Sequence, residues 1–154
     1  MSTLIDLGCK VADAHHRYQE IHGALFGAGS FRLIIDALRG RRRAAYSAYA
    51  QTLNVLQDEL TELGGKISGL GPVKPAKSAD RELQQVLLEY TEVLEEAVTQ
   101  LENIFRNLEQ DESAYRDASI DGRSQFTRDK LRYDHLLLGL ERLGTQLNRL
   151  FSAY

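Results

Sequence analysis

A chain of 154 residues with 43% hydrophobic and 27% charged side chains can bury a sizeable core and has the make-up of a folded domain, which excludes a disordered chain. Its formal charge of −3 supplies no global field for nucleic acid or an anionic membrane. A single cysteine, Cys9, excludes an intrachain disulfide and fits a reducing, cytoplasmic setting. No apolar run approaches the roughly 18 residues that a membrane span needs, and Asp6 stands where a signal peptide would carry its apolar stretch.

The first helix is expected over 3–26. Leu4, Leu7, Val11, Ala14, Tyr18, Ile21 and Leu25 alternate by three and four, which places them on one helical face. Thr3 and Asp6 form a weak capping box. Gly27, Ala28 and Gly29 break the pattern, and Ser30 offers an N-cap for a second helix over 30–63. Its face starts with Phe31, Ile34, Ile35 and Leu38, loses phase through Arg39, Gly40, Arg41, Arg42 and Arg43, and resumes on Tyr49, Leu53, Leu56, Leu60 and Leu63. A kink near Gly40 accounts for the shift. Gly64 and Gly65 read as a C-terminal stop, and the segment 64–78, with Gly69, Gly71, Pro72 and Pro75, as the one long connection.

Ser78 caps the third helix, expected over 79–118, with Asp80 and Glu82 in the first turn where the helix dipole favours anions. Leu83, Leu87, Tyr90, Leu94, Ala97, Leu101, Ile104, Leu108, Asp111 and Tyr115 run along it as a heptad seam with one carboxylate in register. Asp121 and Gly122 mark a turn. The fourth helix, over 123–153, carries Phe126, Asp129, Tyr133, Leu136, Leu140, Leu143, Leu147, Leu150 and Tyr154, again with one acid in the seam. The chain therefore reads as all-α, a single domain over 1–154 folded as an antiparallel four-helix bundle. A longer second connection would instead let helices two and three run in ferritin-like order.

Asp111 and Asp129 lie at equal distances from a turn centred near Ile120, so a hairpin of the last two helices would bring them to one depth. Two buried carboxylates there need compensation. Arg41 or Arg42 could hold both by charge-assisted bonds, with Tyr18 at the same level. A divalent metal could be bound by Asp111 and Asp129 with His15 or His22 completing the shell. Alternatively the aspartates are exposed near the bundle end.

Three stretches carry a family resemblance. They are Leu4-Ile5-Asp6 followed by Asp13, Tyr18 and Glu20; Leu56-Gln57-Asp58-Glu59-Leu60 followed by Leu63-Gly64-Gly65; and Leu108-Glu109-Gln110-Asp111-Glu112 followed by Tyr115. Together they resemble a ferritin-like family of small, uncharacterised bacterial proteins, one of the "domain of unknown function" groups. The resemblance implies a ferritin-like bundle with a role in stress physiology. Di-iron members of such folds use Glu-x-x-His pairs, and none of His15, His16, His22 and His135 lies three residues after a glutamate.

The remaining residues yield blander readings. Cys9 is off the seam without an evident base and reads as an inert thiol. The arginine cluster neutralises Asp36, Asp111 and Asp129 rather than forming a nucleic-acid patch. The seam tyrosines read as core residues with bonded hydroxyls. Ile5, Val86 and Val93 lie outside the seams and could cover a second helix face in a dimer. The expected function is a non-enzymatic structural or protein-interaction role without a cofactor; the alternative is a metal-binding bundle built on the aspartate layer.

Overall fold

The computed structural model describes residues 2–27, 39–71, 78–118 and 122–153. Within them lie four helices: α1 (Ser2–Phe26), α2 (Arg42–Ser68), α3 (Ser78–Arg116) and α4 (Gln125–Phe151). Among the described residues there is no strand, and no helix is long and apolar enough to cross a membrane.

The seams pack as one core. Leu83, Leu87, Leu94, Ala97, Leu101, Ile104 and Leu108 of α3 are buried together with Leu4, Leu7, Val11, Ala14 and Tyr18 of α1 and Leu53, Leu56, Leu60 and Leu63 of α2. Each fully buried leucine contributes about 1.5–3 kcal/mol. The helix α3 packs against all three others, while no Cα of α1 comes within 8 Å of one of α4. Side-chain pairs fix the directions. Arg42–Glu112 at one end and Gln84 to the Ile67 carbonyl at the other make α2 and α3 antiparallel. Tyr115–Asp129 and the approach of Gly144 to Tyr90 do the same for α3 and α4. Gly8 lies against Phe151 and His22 against Tyr133, so α1 runs opposite to α4. The bundle is therefore up-down-up-down, and helices two and three do not run in the same direction as a ferritin-like crossover would have them.

Several local expectations change. Among the described residues the helix that carries Leu53 to Leu63 begins at Arg42, after a turn in which Gly40 takes φ +70°, so the chain turns at Gly40 instead of kinking within a continuous helix. The expected cap Ser30, the face Phe31, Ile34, Ile35 and Leu38, the carboxylate Asp36, the prolines Pro72 and Pro75, the turn residues Ile120 and Asp121, and Tyr154 all lie outside the described residues. At its far end α2 continues through Gly64 and Gly65 to Ser68, because Ile67 extends the three-four alternation and is fully buried. That burial offsets the roughly 1 kcal/mol that each interior glycine costs relative to alanine. Tyr46 takes the buried place on α2, while Tyr49 is only half-buried. Val86, expected on a free face, is buried, and Val93 lies half-buried close to Gly139. Those positions belong to this bundle's own packing.

The glycines separate by conformation. Gly65 is helical with open space where a side chain would go, whereas Gly40 needs a left-handed backbone. Gly65→Ala is expected to raise stability by about 1 kcal/mol, and Gly40→Ala to lower it by about 1–2 kcal/mol. Urea unfolding midpoints of the two variants check both signs.

Candidate functional site

The two seam aspartates do not form a shared layer. Asp111 is exposed and leaves the helical conformation, with φ −159° and ψ 87°, and its Oδ1 accepts the backbone N–H of Ala114 at 3.1 Å. It acts as the N-cap of the last turn of α3, where extended backbone and a short acidic side chain suit a capping residue. Asp129 is 4% exposed. Its Oδ2 accepts the Tyr115 hydroxyl at 2.6 Å and its Oδ1 the Gln125 amide at 3.0 Å, while Gln100 donates to its backbone carbonyl at 3.1 Å. The partners this buried carboxylate shows are therefore a tyrosine hydroxyl and a glutamine amide. Burial first, and the adjacent Asp129 carboxylate second, push the Tyr115 hydroxyl well above its ordinary range.

The arginines go elsewhere. Arg41 is exposed at the start of α2, so it does not reach the core. Arg42 donates to the Tyr46 hydroxyl at 2.7 Å and pairs with Glu112 at 2.8 Å, and Tyr46 donates to the same carboxylate at 2.9 Å. Because α2 begins at residue 42, its first turn faces the end of α3 and neutralises Glu112 instead of the aspartates. Arg39 and Arg43 are exposed, as are Cys9, His16 and His135. The metal candidates Asp111, Asp129, His15 and His22 are not brought together, and among the described residues no group of three or more His, Cys, Asp or Glu side chains converges.

What the structure does assemble is an aromatic bridge between α1 and α4. The Tyr133 hydroxyl is hydrogen-bonded to the Tyr18 hydroxyl and, at 2.7 Å, to Nδ1 of His22. Phe26 stacks beside Tyr133 with ring centroids 5.7 Å apart. Burial raises the Tyr18 and Tyr133 hydroxyls far above their ordinary value. At the opposite end of the same seam the Phe151 ring lies on Gly8, where a Cβ would sit 2.7 Å from the ring. Only a glycine admits the ring there without displacement.

Between these two closures the helices stand apart and leave a half-open groove of about 580 Å³. One wall is Gly8, Val11, Ala12 and His15 of α1. The floor is Leu87 and Tyr90 of α3, and the facing wall includes Leu140, Gly144 and Leu147 of α4. From Gly8 to Tyr18 the groove follows α1 for about 15 Å at 1.5 Å per residue. Volume and lining fall in the range of small-molecule sites, which are mostly apolar with a few polar groups.

Besides the exposed Gln19, Glu141, Thr145 and Asn148 at its rim, two less exposed polar side chains, Tyr90 and His15, line the groove without a hydrogen bond among the described residues. Tyr90 is only 8% exposed, and its hydroxyl makes no hydrogen bond among the described residues; burial alone pushes it up to about 12. His15 meets Tyr90 edge-on at 5.8 Å between ring centroids. Burial, with His16 adding to it, holds the His15 imidazole below its ordinary value. The His22 imidazole is also lowered, by burial and by Lys130, against the opposing pull of Asp134.

Comparison with protein-family models, with curated proteins and with solved structures finds no match to this chain. The groove was not evident from periodicity, since it depends on the spacing between two seams. The signal available was the set of small residues Gly8, Ala12 and Gly144 beside those seams.

Two outcomes follow from the buried polar groups. Tyr115→Phe leaves one oxygen of Asp129 without its donor and is expected to lower stability by about 1–3 kcal/mol in urea titrations. The histidines set a pH dependence. Their folded pKa lies below the unfolded value, so the unfolded chain binds more protons as the pH falls through the ordinary imidazole value of 6.5. Stability is thus greatest above that value and falls below it. The thermal midpoint is expected to drop between neutral pH and about pH 5, and to drop less in His15→Phe.

Proposed function

We propose that this chain is a non-enzymatic binding bundle whose α1–α4 groove receives an apolar partner molecule. The observation that carries the reading is the Tyr90 hydroxyl. The Tyr90 side chain is nine-tenths buried at the floor of the groove, and its hydroxyl has no protein partner among the described residues. That hydroxyl is open to the groove, since no side-chain nitrogen or oxygen among the described residues is both buried and unpaired, and an occupant that bonds to it gains about the net 0.5–1.5 kcal/mol of one hydrogen bond. The interaction role expected from the sequence thus takes the form of a recess rather than a flat helix face. The large exposed apolar side chains Val55, Leu131 and Leu138 are the scattered kind that most surfaces carry. The bundle's closures support the same reading. Phe151 over Gly8 and the Tyr18–Tyr133–His22 bridge hold α1 and α4 at a fixed separation, so the recess is preformed and binding need not reorganise the core.

The test uses the neutral dye N-phenylnaphthylamine, whose emission rises in an apolar site. The wild-type chain is expected to enhance it saturably. Gly144→Leu, which places a side chain in the groove from a position with only ordinary contact to Tyr90, is expected to abolish the enhancement while keeping the helical signal. Ala12→Leu fills the recess from the opposite wall and gives the same outcome. Undiminished enhancement in both filled variants would contradict the reading.

A further inference from the structure

The charge and shape of the groove narrow what can occupy it. Glu141 is the one charged side chain among its described lining residues, and no lysine or arginine contributes to the wall. A carboxylate or phosphate entering it would leave water without a cation to meet it and would lie near an existing negative charge, which is unfavourable on both counts. The polar features of the middle of the groove are neutral: the Tyr90 hydroxyl, able to donate and accept, and the His15 imidazole beside it.

Below that point apolar side chains make up most of the lining, with Thr145 and Asn148 on the α4 side. Val11, Leu87, Leu140 and Leu147 line it down to the Phe151 ring. Seven residues separate His15 from Gly8, which sets the apolar section at about 10 Å. Such a channel accepts a narrow chain, each methylene of which gains about 0.8 kcal/mol on leaving water.

We propose that the groove binds an uncharged, elongated, mainly aliphatic molecule whose single hydroxyl or carbonyl group bonds to Tyr90 beside His15, with its hydrocarbon tail running toward Phe151; this rests on the groove being a binding site, as argued above. The head group bonds to a hydroxyl that the protein leaves open to the groove. The tail gains by leaving water itself, since Val11, Leu87, Leu140 and Leu147 are already buried by the bundle. Selection is against negative charge, because an anion gains the same tail contacts but forfeits its hydration without an ion pair in return.

The experiment is competition against N-phenylnaphthylamine bound to the full chain, using n-octanol and octanoate at neutral pH. The two competitors share a tail length and differ in the charge of the head. The alcohol is expected to displace the dye at least about tenfold more effectively than the anion, a difference of 1.4 kcal/mol. Tyr90→Phe, which keeps the ring and removes the hydroxyl, is expected to weaken the alcohol about three- to tenfold, as the loss of one net hydrogen bond does. Equal displacement by alcohol and anion would overturn the proposed ligand class, and so would an unaltered alcohol affinity in Tyr90→Phe. If the wild-type chain takes up dye, and the filled variants do not, yet neither competitor displaces it, the class fails while the groove stands as a binding site. If the wild-type chain takes up no dye, the reading of the groove itself fails.

Discussion

The first helix reaches the last one only through side chains. No Cα of one lies within 8 Å of a Cα of the other, and the separation is held by a chain of hydroxyls and an imidazole at one end and by a phenyl ring on a glycine at the other. A leucine pair would draw two helices into ordinary close packing at about 8–10 Å between axes. Tyrosines facing one another across the seam, tied at their hydroxyls, act as spacers because their ring length lies across the gap. The groove, its preformed shape and its neutral polar spot all depend on that spacing.

The spacing is tolerable because α3 carries the core. Its seam is buried against all three partners, so the bundle does not depend on close packing between α1 and α4. The end of α3 shows how polar groups are accommodated around such a core. Asp111 steps out of the helical conformation to cap a final turn, and that turn presents Tyr115 to the buried Asp129. Glu112 in the same turn is met by Arg42 and Arg116. Three acids within one stretch of two helices thus find three different partners, and none requires another carboxylate nearby.

Much of this architecture was legible in the sequence, and the failures have specific causes. The seams of α1 and α3 are visible because leucine, valine and tyrosine recur by threes and fours without interruption, and six of the seven seam positions read on α1 are buried. Asp111 was misread because counting along a seam assumes one continuous helix. An aspartate three residues before an alanine is as well suited to begin a turn as to intrude on a core. The double glycine of α2 was read as a stop because glycine is costly within helices, yet the burial of Ile67 one turn later outweighs that cost. Tyr46 was missed because the broken phase after the arginines hid the first turn of α2. The groove itself was beyond periodicity, which reports the faces that point inward and not how far apart two inward faces stand.

The most direct measurement of this account is a double-mutant cycle on the bridge, combining Tyr18→Phe with Tyr133→Phe and reading unfolding free energies in urea. If the hydroxyls hold α1 and α4 at their separation by bonding to each other, the two substitutions will be coupled by about 1 kcal/mol. If their effects add to within about 0.3 kcal/mol, the hydroxyls act independently and the bridge is not what sets the groove.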